Sequence, residues 1–156
     1  MCNSEIYVSV DIETSGPVPG IYSLLSIGAC LVSDTENALY LELQPDSEKH
    51  DDESLAVTGL DINRLQKEGL APEQAMLMLR DWLASLISQN SKPIFVGLNT
   101  PFDWSFINYY FHKYLGSNPF GFRGQFGYRK LLYGKPVFCT FLGLLPKVVH
   151  YLLHRP

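Results

Sequence analysis

The sequence predicts one α/β domain on a sheet whose first three strands form a meander and whose fourth lies alongside the first. Three observations carry this expectation. The chain up to Leu43 holds three runs with strand patterning, separated by short polar or glycine-rich turns. Its middle is helical, with apolar residues recurring at helical spacing. A short apolar run then leads directly into a second long helix. At 156 residues the length suits one domain, and 46% hydrophobic with 18% charged residues excludes a disordered or fibrous chain.

Residues 5–11, Glu-Ile-Tyr-Val-Ser-Val-Asp, are rich in β-branched and aromatic side chains and read as the first strand. Residues 15–20 form a loop dense in glycine and proline. Residues 24–32 and 38–43 read as two further strands joined by a polar turn over 33–37, and residues 44–52 as a polar connection. Residues 61–68 suit a short helix. Residues 72–89 give the clearest one, with Ala75, Leu79, Trp82, Leu83 and Leu86 on one stripe and Pro72 in the first turn. Residues 93–98 read as a buried strand, and Thr100 opens a helix running to about Tyr114.

The charge is divided unevenly. Met1 to Asp103 carry 16 acids and 5 bases, a balance of −11. Trp104 to Pro156 carry 7 bases and no acid. An ordinary surface mixes both signs. One explanation is a phosphate-attracting segment facing an acidic, metal-binding half. The other is an atypical origin for the C-terminal part, through a truncation or an altered reading frame. The expected division is therefore a domain over residues 1–124 and an atypical, acid-free segment over 125–156. The overall net charge of −4 argues against a globally basic nucleic-acid binder, although a metal-assisted nuclease need not be basic.

Cys2, Cys30 and Cys139 are far apart and form no CxxC pair, which excludes a disulfide framework and a structural zinc site. No basic segment followed by an apolar run opens the chain, so the cytoplasm is the expected compartment. Residues 137–153 are apolar but interrupted by Gly143, Pro146, Lys147 and His150, too short and broken for a membrane span. They suit core or interface, and could pair two chains as a homodimer.

Val10-Asp-Ile-Glu-Thr14 places two carboxylates two residues apart at a strand end. Side chains at i and i+2 share a face, so Asp11 and Glu13 can converge. Such like charges repel unless a proton or cation lies between them, and a hard divalent cation takes oxygen ligands. A strand end with polar residues facing water is the plainer reading. Asp103, in the first turn of the helix from Thr100, is the third acid; there a negative charge is favoured. Thr100-x-x-Asp103 also fits a capping box, with Thr100 as N-cap.

Together, Asp11-Ile-Glu-Thr-Ser-Gly16 and Asn99-Thr-Pro-Phe-Asp103 resemble the first two motifs of the four-carboxylate (DEDD) 3′–5′ exonuclease superfamily. The resemblance covers roughly residues 5–115. It implies an RNase H-like fold: an antiparallel three-strand meander plus a parallel strand, flanked by helices. It also implies hydrolysis of single-stranded DNA or RNA from the 3′ end with two Mg²⁺ or Mn²⁺ ions, held by Asp11, Glu13 and Asp103. By the same resemblance, Thr14, Ser15 and Gly16, with Asn99, would hold the terminal nucleotide. Leu24 and Phe102 would pack against it, unless they serve the core.

The third motif of that superfamily supplies a histidine or tyrosine and a fourth acid, which stands five residues after the histidine in the histidine subgroup. Here no acid follows Asp103, and Arg155 stands five residues after His150. His150 remains a candidate base, since imidazole titrates near neutrality. The expected activity is therefore weak or absent. The alternative is an inactive nucleic-acid-binding or regulatory module of the same fold.

Overall fold

The computed structural model describes residues 4–88 and 91–121, without the side chain of Ser4. Strand β1 (Ser4–Thr14) is the longest, and its alternation is that of a half-covered strand: Val8, Val10 and Ile12 are buried, while Ser9, Asp11 and Glu13 on the other face are only half-buried. It pairs antiparallel with β2 (Leu24–Leu31), which pairs antiparallel with β3 (Asp34–Glu42). Strand β4 (Ser91–Val96) lies parallel to β1, giving the order β3-β2-β1-β4. The meander and the flanking fourth strand are as expected. The turn between β2 and β3 is shorter than the polar 33–37 stretch suggested. Asp34 to Asn37 belong to β3, an edge strand whose first half is largely exposed and so tolerates polar residues.

Four helices are present among the described residues. Helix α1 (Asp52–Thr58) begins where the expected polar connection over 44–52 ends, in a stretch for which no element was expected. Asp51 caps it by accepting from Ser54 N at 2.8 Å, and Gly59 ends it at φ 66°. It buries no side chain fully, so no apolar stripe marks it. Helix α2 (Ile62–Glu68) follows, capped by Asp61. Helix α3 (Pro72–Leu86) stops three residues short of the expected end, and buries Ala75, Met76, Leu79 and Leu83. Helix α4 (Thr100–Leu115) buries Phe106, Ile107, Tyr110 and Phe111. Those side chains meet Val8, Val10, Ile12, Ile27, Ala29, Leu41 and Phe95 of the sheet in one core cluster. Burying each large apolar side chain contributes about 1.5–3 kcal/mol.

No helix among the described residues is long and apolar enough to cross a membrane. The expected boundary at residue 124, the segment 125–156, its proposed self-pairing stretch and His150 lie outside the described residues.

Candidate active site

The site is built where β1 outruns its neighbour. Pairing between β1 and β4 ends at Ser9 and Val96, leaving the last residues of β1 without a strand on that side among the described residues. Gly97 turns the chain there. A Cβ on it would stand 2.9 Å from the Val10 carbonyl oxygen, closer than packed atoms sit. The backbone then passes through Asn99, at φ 51°, and enters α4. In the first turn of α4, Asp103 Oδ1 accepts the Ile12 backbone N–H at 3.2 Å. A carboxylate thus takes the place of the missing ladder partner, and Asp103 sits beside the residue that separates Asp11 from Glu13. Gly97→Ala is expected to destabilise the fold by about 1–3 kcal/mol, because the added methyl meets backbone that cannot swing aside. Urea unfolding checks this; a variant as stable as the parent would show that the turn yields.

The capping box does not form. Asn99 is the N-cap and makes no side-chain cap bond, while the Thr100 hydroxyl donates to the Gly97 carbonyl at 2.7 Å. The Asp103 carboxylate is instead directed at β1. It is 4% exposed, and burial, followed by the charge of Asp11 and more weakly that of Glu13, pushes its pKa up to about 7 against two backbone N–H bonds. Burial also raises the pKa of Asp11, and burial with the Asp11 charge raises that of Glu13. The three acids therefore feel one another across the end of β1.

All-oxygen donors at a site of mutual carboxylate repulsion fit a hard divalent cation in kind. Among the described residues, however, no group of three His, Cys, Asp or Glu side chains already converges as a metal cage. One oxygen of Asp103 is committed to the Ile12 amide. The set has the right chemistry but is not closed.

Beside the acids lies a cleft of about 310 Å³, lined by Ile12, Glu13 and Thr14 of β1, Phe102 of α4, and Asp51, Glu53, Ser54, Val57 and Thr58 on or next to α1. Thr14 and Phe102, two of the residues expected at a terminal nucleotide, line this cleft, and the Thr14 hydroxyl donates to the Gly16 carbonyl at 2.9 Å. The α1 wall escaped the sequence reading. Its signal was the pair of end residues, Asp51 and Gly59.

Two expected nucleotide contacts, Leu24 and the Ser15 hydroxyl, are corrected by burial. Leu24 is 0% exposed and belongs to the core cluster. The Ser15 hydroxyl, also fully buried, accepts from Ser23 N at 2.9 Å and donates to the Lys49 carbonyl at 3.0 Å, so it ties loops together. Gly16 is a packing position: a Cβ there would fall 2.2 Å from the Tyr22 ring. Asn99 is exposed at the start of α4 and does not line the cleft.

No family model matches the chain. It is 50% identical over 119 residues to the 3′–5′ DNA exonuclease Cap18 of Escherichia coli, an alignment covering 76% of this chain and 64% of that protein. The chain thus spans less than two thirds of that relative. Among solved structures, a product-bound exonuclease I superposes with a TM-score of 0.62 at 15% identity over 78% of this chain and 28% of the other. The metal-free E. coli ExoI–ssDNA complex does so with a TM-score of 0.61 at 16% identity over 75% and 25%. The chain has the fold of exonuclease I. Within that fold, Asp11, Glu13 and Asp103 occupy the end of the central strand and the first turn of the helix after the parallel strand.

Proposed function

We propose that this DEDD-fold chain is a metal-dependent exonuclease that removes nucleotides from the 3′ ends of single-stranded DNA. The observation that carries this reading is the Asp103 to Ile12 contact of 3.2 Å, which sets a buried third acid against the strand bearing Asp11 and Glu13. Asp11, Glu13 and Asp103 would hold Mg²⁺ or Mn²⁺, which when bound supplies an activated water and stabilises the leaving 3′ oxygen.

The protein's own part is placement. The cleft volume falls at the low end of ordinary small-molecule sites, of which about 300–1,000 Å³ is typical, and suits one nucleotide. Phe102 offers a ring face, and stacking of a base on such a ring contributes about 1–3 kcal/mol with little regard to sequence. Glu13, Asp51 and Glu53 make the lining acidic, so a phosphate is repelled until cations are present. The name of the 50%-identical relative and the single-stranded DNA in the ExoI complex support DNA over RNA as the preferred strand.

No acid follows Asp103 within the 156 residues, so the chain brings three carboxylates to a site type that uses four. The expected result with a 5′-labelled single-stranded DNA oligonucleotide and Mn²⁺ is slow, stepwise shortening from the 3′ end. A 3′-blocked oligonucleotide should resist it, and an RNA strand should shorten more slowly. If the strand is retained on the protein yet never shortened with either ion, the missing acid has left a binding module instead.

A further inference from the structure

Asp103 reaches β1 only if α4 is held at the correct height, and α4 is fastened two turns further on. Tyr110, seven residues after Asp103 and so on the same helical face, is 1% exposed and belongs to no part of the cleft. Its hydroxyl donates to Asp46 Oδ1 at 2.5 Å and accepts from Leu24 N at 2.8 Å. Asp46 Oδ2 receives Lys113 Nζ at 2.7 Å and the Tyr114 hydroxyl at 2.8 Å. One carboxylate therefore gathers three side chains of α4, and these bonds hold its pKa below the usual carboxylate range despite the opposing effect of burial.

Asp46 also belongs to the strap that runs from β3 to α1. Ser23 Oγ accepts Asp46 N at 3.1 Å and Ser47 N at 2.9 Å. Further along, Ser15, immediately after β1, donates to the Lys49 carbonyl at 3.0 Å, and its own carbonyl accepts Asp51 N at 2.8 Å. Asp51 then caps α1, the wall of the cleft. A continuous set of hydrogen bonds thus joins α4, the start of β2, the end of β1 and α1.

We propose that Asp46 and Tyr110 are positioning residues, which set where Asp103 and the α1 wall stand against Asp11 and Glu13. This rests on the exonuclease reading for its consequence in catalysis, but not for its geometry. The link is more than packing because its members are polar, charged in part, and converge on one carboxylate. It acts on the acids through α4 and through the strap, never by touching substrate.

The Ile12 amide reports the seat of Asp103 directly, since that carboxylate is its partner. In Tyr110→Phe, which keeps the ring and deletes the hydroxyl, exchange of the Ile12 amide with solvent followed by NMR is expected to accelerate about tenfold or more. The Ile27 amide, inside the sheet, should change by less than about threefold. Asp46→Asn should show the same selectivity. Arg64→Met, which breaks the Arg64–Glu42 ion pair of 2.7 Å and removes no bond of the link, should lower stability without this selectivity. In the cleavage assay, Tyr110→Phe should lower kcat by about tenfold or more with little change in KM. If the Ile12 amide is unmoved, or if Ile12 and Ile27 speed up together, the pair is merely structural and the proposal falls. An absence of cleavage by the parent protein would remove the exonuclease reading alone, because the exchange measurement does not depend on it.

Discussion

Asp11→Asn is expected to abolish metal-dependent shortening of single-stranded DNA, by about 100-fold or more, and at the same time to make the metal-free protein more stable above neutral pH. Both effects come from one charge. Asp11 raises the pKa values of Asp103 and Glu13 by standing beside them, so its neutral amide relieves repulsion that the fold otherwise bears. The same substitution removes a ligand that a divalent cation requires. A structural residue would lose stability along with activity; here the two should move in opposite directions. Thermal unfolding without divalent ions and the oligonucleotide assay check the pair. Cleavage within about tenfold of the parent would remove Asp11 from the chemistry.

The metal-free protein should be most stable in mildly acidic solution and lose stability as the pH rises toward neutrality. Asp103 titrates at about 7 in the folded chain, against about 3.9 for an unfolded aspartate. Between those values the native state binds the extra proton, so its stability falls as pH increases and levels off above about 7. The loss is on the order of a few kcal/mol. Asp11 and Glu13, also raised, contribute in the same direction. Asp46 works oppositely: its pKa is lowered, so the stability it contributes is lost only as pH falls through the acid range. Melting temperatures across pH with a chelator present test this, and adding Mn²⁺ at alkaline pH should restore the loss. A flat profile would mean that the three carboxylates do not share a site.

Much of this arrangement is legible in the sequence. The alternation of Val8, Val10 and Ile12 with Asp11 and Glu13 announces both a strand and a shared carboxylate face. The strand arrangement followed from the order of elements, three strands, then helical segments, then a strand leading into a helix. What escaped has physical reasons. Helix α1 fully buries none of its residues, so no hydrophobic period reveals it. Leu24 opens a strand, and nothing local tells which face of the sheet its side chain takes. Thr100 and Asp103 have the spacing of a capping box, and only the tertiary need of the Ile12 amide decides against it. The Asp46–Tyr110 bond joins residues 64 apart and obeys no period.

Because the Asp103 carboxylate completes the hydrogen bonding of β1, that acid has two employments. A descendant that lost all enzymatic ability would still be under pressure to retain it, since discarding it strands the Ile12 amide. Asp11 and Glu13, half open to water, have no comparable duty toward the architecture, and mutation could wear them away silently. Drift among homologues should therefore be read at those two positions first: their survival speaks for chemistry, whereas the survival of Asp103 speaks only for folding.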